Sequence, residues 1–77
     1  MTKHREEFLN WFGVRIRTLR QQKGLSQEEL AHRADIDRTY MGGVERGERN
    51  IGLVNVKRIA DALEISPKDL FDGDFKF

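Results

Sequence analysis

The stretch that decides the fold is SQEELAHRADIDRTYMGGVERGERN, residues 26–50. Its capping residues and apolar spacing predict two short helices, near 27–34 and 38–46, joined only by residues 35–37. So short a connection forces a steep crossing angle, and the second helix then projects from the body of the domain.

The second of these helices has one apolar side. Met41 and Val44 are expected to face inward, with Ile36 buried beside them. The remaining faces then carry Arg38, Thr39, Gly42, Gly43 and Arg46. An α-helix fits the major groove of B-DNA, and arginine forks onto the O6 and N7 edge of guanine. This set of side chains therefore points to double-stranded DNA as the partner.

The start signals of the helices repeat along the chain. An apolar residue precedes a capping residue, and a second apolar residue follows four positions after the cap. The sets are Leu25-Ser26 with Leu30, Ile36-Asp37 with Met41, Ile51-Gly52 with Val56, and Ile65-Ser66 with Leu70. This spacing is typical of a hydrophobic staple around an N-cap. Gly52 is the weakest of these caps because it has no side-chain acceptor.

The stop signals complete an all-α architecture. Gly24 and Gly47 are placed to close the first and third helices in a left-handed conformation. We expect a single domain over residues 1–77, with helices near 6–23, 27–34, 38–46, 53–63 and 67–72.

Composition excludes several classes of protein. The chain has 77 residues and no cysteine, so disulfides and thiolate metal sites are absent. No apolar run approaches the roughly 18 residues of a membrane span, and no secretory signal core follows the first charges. We therefore expect a cytoplasmic protein with no membrane partner.

Charge is weaker guidance, because the net charge is only +1. Residues 1–25 carry six Lys and Arg against two Glu, a balance of +4, and residues 65–77 carry two Lys against three Asp, a balance of −1. This asymmetry favours an anionic partner at one end. An ordinary soluble surface with 35% charged residues explains it equally well.

No constellation of residues suggests catalysis. The histidines, His4 and His32, have neither cysteine nor an acidic cluster near them in the sequence, so no metal site is expected. No nucleophile with a base can be picked out, and Gly42-Gly43 is not a phosphate loop because no strand precedes it. We expect a protein that is not an enzyme and that needs no cofactor.

The segment RIRTLRQQKGLSQEELAHRADIDRTYMGGVERGERNIGLVNVKRIADALEISPKDLF, residues 15–71, resembles the lambda repressor/Cro (XRE) family of helix-turn-helix regulators. GLSQEELA, VERGER and IADALEISPKDLF are its most specific parts. DRTYMGGVERGERNI is most similar to the controller proteins of restriction-modification systems. The resemblance implies a compact five-helix, lambda-repressor-like DNA-binding domain with its helix-turn-helix at about 26–46.

The resemblance also implies roles at matching positions. The base-reading positions would be Arg38, Thr39, Tyr40 and Gly43, with Tyr40 reaching either a base edge or the backbone. The phosphate-contacting positions would be Gln27, Arg46, Arg49 and Asn50, with bracing of the recognition helix as the other role open to Gln27. Arg20 and Glu45 match a structural pair that ties the first helix to the third.

Two departures from the family pattern matter. Asp35 stands where the turn commonly has glycine. Aspartate can adopt the left-handed conformation that this turn needs at a small cost in free energy. Gly42 and Gly43 lie inside the recognition helix, where each costs roughly 1 kcal/mol relative to alanine. Either these glycines let the helix approach DNA closely, or the helix is loose there.

A regulator of this size is expected to act as a homodimer on a pseudo-palindromic operator, blocking RNA polymerase at one site or recruiting it at another. Two aromatic sets, Trp11 with Phe8 and Leu9 and Phe75 with Phe77, either close the ends of the core or join a dimer surface that includes Val54 and the outer face of the fourth helix. The rival is an antitoxin-like or other protein-interaction module on the same fold. The short segment after the fifth helix, residues 72–77, makes us expect this rival less.

Overall fold

The computed structural model describes residues 2–73, apart from the side chain of Thr2, and this part of the chain is helical throughout its regular structure. Its helices are α1 (Thr2–Gln22), α2 (Gln27–Ala34), α3 (Arg38–Glu45), α4 (Leu53–Ala62) and α5 (Pro67–Leu70). The all-α prediction is confirmed. The largest difference from the prediction is at α1, which begins at Thr2 rather than near residue 6. The sequence did not indicate these first turns because they are exposed and show no apolar periodicity.

The predicted N-caps open α2 to α5. Ser26 Oγ accepts the Glu29 backbone N–H at 3.0 Å, and the Glu29 carboxylate accepts the Ser26 N–H at 2.8 Å, which completes a capping box. Asp37 accepts a backbone N–H of the first turn of α3 at 3.2 Å. Ser66 caps α5 within a second capping box, whereas Gly52 caps α4 with no side-chain hydrogen bond.

Left-handed residues follow α1 to α4. Gly24 (φ 71°) and Gly47 (φ 76°) take the conformation expected of them, as does Asp35 (φ 56°) in the turn after α2. Glu64 (φ 60°) does the same after α4, which the sequence did not indicate. At each end the next backbone N–H bonds to the carbonyl five residues earlier, at 3.1, 2.9, 2.8 and 3.0 Å along the chain. These bonds form Schellman motifs, so the connections are fixed by backbone hydrogen bonds.

The core forms where the helices meet. Its larger apolar members are Phe12, Ile16, Leu25, Leu30, Met41, Val44, Ile59, Leu63 and Leu70. Met41 and Val44 face inward as predicted, with 0% and 1% of their surface exposed, while Ile36 is only half-buried. Removing such apolar surface from water is the main force that holds α3 on the rest of the domain.

Aromatic side chains join the first part of α1 to the end of α5. The Phe8 ring lies 6.0 Å from that of Trp11 and 6.4 Å from that of Phe71, and the Phe12 ring lies 5.4 Å from that of Phe71. These contacts favour a core-closing role for Phe8 and Trp11. Phe75 and Phe77 lie outside the described residues.

Large apolar side chains also remain on the surface. Leu53 and Val54 are 85% and 67% exposed at the start of α4, and Val14 is 56% exposed on α1. Across residues 2–73, no helix combines the length and the apolar character that crossing a membrane requires.

Candidate nucleic-acid interface

The turn between α2 and α3 holds the two helices in one orientation. Asp35 and Ile36 donate backbone hydrogen bonds to α2 carbonyls at 3.1 and 2.9 Å, and Asp37 then caps α3. Leu30 of α2 and Met41 of α3 are buried in the shared core. Since caps and core contacts fix both ends of the turn, the exposed side of α3 is presented by a rigid support.

The exposed side of α3 gathers four of the predicted site residues. Arg38 and Thr39 are exposed on its first turn. Together with Gln27 of α2 and Arg46 at the end of α3, they line a shallow depression beside Gly42. The surface therefore offers two guanidinium groups, a hydroxyl and an amide within one patch.

The glycines of α3 require a correction. Gly42 and Gly43 were expected on an outward face, but both are buried. A Cβ at Gly42 would lie 3.1 Å from Gln27 Oε1 and from Arg46 Nη1, and a Cβ at Gly43 would lie 3.0 Å from Arg49 Cγ. Helical periodicity could not show this, because the covering side chains come from α2, the end of α3 and the following loop. Gly43 therefore seats the Arg49 side chain rather than lying open to a ligand.

Tyr40 and Arg49 are neighbours beside α3. The Arg49 guanidinium carbon lies 5.4 Å from the centroid of the Tyr40 ring, which is cation–π geometry. Asn50 is placed differently: with Arg49 it borders an apolar hollow lined by aromatic residues of α1 and α5. The structure thus groups Asn50 with Arg49, away from the depression beside Gly42.

A buried carboxylate supports this surface from behind. The Glu45 side chain is 0% exposed, and Arg20 binds it through two hydrogen bonds of 2.7 and 3.0 Å. Gln27 Nε2 donates to the same carboxylate at 3.1 Å, and Arg20 also donates to the Leu25 carbonyl at 2.9 Å. Several charge-assisted bonds are what a buried ion needs to offset its lost hydration. The contact that the structure gives Gln27 is therefore a bracing one, linking α2 to α3.

Arg17 also lies beside the Glu45 carboxylate, although no site role was predicted for it from the sequence. Its Nε lies 3.8 Å from Glu45 Oε1, and 47% of its side chain is exposed. Arg17 and Arg20 are three residues apart on α1 and so share a helix face. Because Arg20 had been assigned to a pair with Glu45, this spacing could have predicted that Arg17 also lies near Glu45.

An exposed ion pair follows α3 directly. Arg46 Nε and Nη2 donate to the two carboxylate oxygens of Glu48 at 3.0 and 3.1 Å. The hydrogen bond from Arg46 lowers the pKa of Glu48, and the same bond raises the pKa of Arg46. The charge of Arg49 makes a smaller contribution that also lowers the pKa of Glu48. Glu48 was not among the site residues predicted from the sequence.

Across residues 2–73, no group of three or more histidine, aspartate and glutamate side chains is arranged to hold a metal ion. His4 on α1 and His32 on α2 are both exposed. What the described surface offers is positive charge and hydrogen-bond donors around α3, at Arg38, Arg46 and Arg49.

A short helix, a tight turn and a second helix with a polar exposed side together form a helix-turn-helix. Comparison with known proteins agrees with this class. The family model described as "Helix-turn-helix" matches residues 16–70, which covers all of α2, α3 and α4.

Individual relatives narrow the assignment. Control protein C.BamHI of Bacillus amyloliquefaciens is 47% identical over 62 residues, covering 79% of this chain and 76% of that protein. The crystal structure of the restriction-modification controller protein C.AhdI from Aeromonas hydrophila superposes with a TM-score of 0.83 and 55% identity, covering 84% of this chain and 98% of that one. C.Esp1396I bound to a 25 base pair operator site matches with a TM-score of 0.76 and 36% identity, over 83% and 84% of the two chains. The chain belongs to the helix-turn-helix family and, within it, to the controller proteins of restriction-modification systems.

Proposed function

We propose that this protein is a sequence-specific DNA-binding transcription regulator that acts as a dimer on a pseudo-palindromic operator. The observation that carries the proposal is the polar exposed side of α3, which begins with Arg38 and Thr39 and stands on the rigid support of α2 and the turn. In modules of this class, the first residues of the second helix reach base edges in the major groove.

The base-reading role is assigned to the start of α3. Arg38 has the donors to fork onto guanine, and Thr39 adds a hydroxyl and a methyl group. Tyr40 is half-buried and held beside Arg49, so we assign it contact with a base edge or with the backbone next to it. Gly43 contributes by seating Arg49, and its own contact with a base would require Arg49 to move.

The phosphate role is assigned to the segment that leaves α3. Arg46, Arg49 and Asn50 are exposed there, and Gln27 lies across the depression from Arg46. Phosphate contacts fix the register of a protein on DNA, while base contacts provide the choice of sequence. Gln27 would keep its bond to Glu45 and hold α3 in place while the arginines bind.

The dimer is assigned to the exposed start of α4. Leu53 and Val54 are the most exposed large apolar residues described, and adjacent exposed apolar side chains are a common feature of protein–protein contact surfaces. Two copies related by a two-fold axis would present two α3 helices to half-sites about one helical turn apart, roughly 34 Å. Joining two weak half-site contacts in this way gives useful affinity.

Regulation would follow from operator occupancy. RNA polymerase is the second partner, either blocked at one site or recruited at another, and the concentration of the dimer is the signal. A related protein, C.Esp1396I, is described as bound to an operator, and we extend that kind of target to this chain. We propose that the protein acts as a single domain with no catalytic role. Because its proposed target is DNA, we also propose that it acts in the cytoplasm.

The test is selection of binding sites from a random duplex library, with the enriched pool sequenced. We expect a motif with two-fold symmetry, since each protomer reads one half-site. Binding that falls with salt but enriches no motif would contradict the proposal, because phosphate contacts alone produce that behaviour. That result would favour the alternative function, a protein-interaction module on the same fold.

A further inference from the structure

We infer that the carboxylate of Glu48 competes with DNA phosphate for Arg46, so that Glu48 limits the affinity of the protein for the DNA backbone. The inference rests on the proposed function, because it concerns the surface that would meet DNA. It assigns Glu48 a regulatory part in binding, as a residue that acts through Arg46.

The geometry of the Arg46–Glu48 pair is that of phosphate recognition. Two guanidinium nitrogens of Arg46 donate in parallel to two oxygens, at 3.0 and 3.1 Å. A phosphate offers the same pair of oxygens to arginine as a carboxylate does. The third nitrogen, Nη1, lies close over Gly42. Bidentate binding of a phosphate by the Nε edge therefore requires Glu48 to leave.

The backbone holds Glu48 beside this fork. Its N–H bonds to the Gly43 carbonyl at 2.8 Å, in the Schellman motif that closes α3. The equivalent positions after α1, α2 and α4 are Leu25, Ile36 and Ile65, all apolar. In a Schellman motif, the residue at this position usually packs on a side chain five or six positions earlier. At the end of α3 those positions are Gly43 and Gly42, which have no side chain. A charged residue at position 48 is therefore a departure from the pattern of this chain, at the one helix end where apolar packing is unavailable.

The strength of the pair suits exchange. Both partners are more than half exposed, at 54% and 57%, and an ion pair of this kind contributes little to folding because water and salt screen it. Separation of Arg46 from Glu48 on DNA would therefore cost the protein little folding stability. The buried pair of Arg20 and Glu45 could not be exchanged in this way, because separation would leave a charge without hydration.

The experiment measures binding of a fluorescein-labelled random-sequence duplex by anisotropy, for the wild type, Glu48→Gln, Arg46→Gln and the double variant. We expect Glu48→Gln to lower Kd by about two- to fivefold per protomer, the range that an exposed ion pair allows. In the Arg46→Gln background, Glu48→Gln should lower Kd only by the amount that follows from removing one negative charge from the surface. Asp61→Asn supplies that reference, because Asp61 forms an equally exposed pair with Lys57 on α4, at 2.7 Å.

Three results would overturn the inference while the wild type still binds DNA. Weaker binding by Glu48→Gln would mean that Glu48 orients Arg46 for phosphate instead of competing. Equal tightening with and without Arg46, or tightening no larger than that of Asp61→Asn, would mean that only net charge matters. Failure of the wild type to bind any duplex is a separate result, which would overturn the proposed function and the inference with it.

Discussion

Glu45 and Glu48 stand three residues apart at the end of α3, and each is paired with an arginine, yet their surroundings give them opposite roles. Glu45 is buried and joins Arg20 and Gln27, so it fixes α3 to α1 and α2. Glu48 is exposed and joins Arg46, which solvent can also satisfy. A carboxylate at this helix end is therefore structural or exchangeable according to its burial.

This difference gives a stability prediction. Glu45→Ala should lower the free energy of unfolding by about 3–5 kcal/mol, because it leaves the largely buried Arg20 without its partner. Urea denaturation followed by circular dichroism measures the loss. Glu48→Ala is the matched control and should leave the urea midpoint nearly unchanged. Equal effects of the two changes would contradict the structural role of Glu45.

At the level of single residues, the sequence predicted which types of side chain matter but not how they meet. Asp35 was predicted to accept the left-handed turn, and it does, with φ 56°. Gly43 was expected to lie open, and it lies beneath Arg49. The difference is physical: backbone conformation depends on the residue itself, whereas burial of Gly43 depends on a side chain from a neighbouring loop.

Among the helices, α1 and α3 cross with their backbones in close contact at Gly13. A Cβ at Gly13 would lie 2.5 Å from the Glu45 carbonyl oxygen and 2.6 Å from that of Val44. Both oxygens belong to backbone, so neither can move aside without shifting α3. Gly13 therefore sets the distance between the helix that carries Arg20 and the helix proposed to read DNA.

Gly13→Ala should accordingly destabilise the protein, although alanine is the better helix former by about 1 kcal/mol. Overpacking of this kind typically costs about 1–3 kcal/mol, so the steric effect should prevail. The change in melting temperature measures the balance between the gain in helix propensity and the steric cost at Gly13. An unchanged or higher melting temperature for Gly13→Ala would show that the two helices are not in close contact.

The helix boundaries were largely predictable because their signals are local. An N-cap with its staple needs only six consecutive residues, and each of the four predicted caps opens a helix. The start of α1 was misplaced because exposed charged turns carry no apolar pattern. The left-handed Glu64 was missed because glutamate, unlike glycine or asparagine, is not typical of that conformation.

On the scale of the whole molecule, part of the positive charge of the N-terminal third is used in contacts within the fold. Three of the six basic residues in the positively charged first third contact protein groups: Arg15 contacts the Asp69 carbonyl, and Arg17 and Arg20 pair with Glu45. The charge asymmetry of the sequence is therefore partly structural, which composition alone could not indicate.

The dimer assignment predicts that Val54→Glu disrupts association, because it places a charge in an apolar contact. Sedimentation velocity should show a monomer at concentrations where the wild type is a dimer, with weaker binding to the selected operator. Val14→Glu is the control, since Val14 is also exposed but lies on α1. If Val14→Glu and not Val54→Glu dissociates the dimer, the assignment to α4 is wrong.

Whether α3 reads bases through Arg38 can be measured by binding-site selection with Arg38→Ala beside the wild type. We expect Arg38→Ala to select a motif that is relaxed at one base pair in each half-site, with a loss of about 1–3 kcal/mol in operator binding. Arg49→Ala in the same selection should return the wild-type motif with uniformly weaker binding, as expected of a phosphate ligand. An unaltered motif from Arg38→Ala would contradict base reading by Arg38.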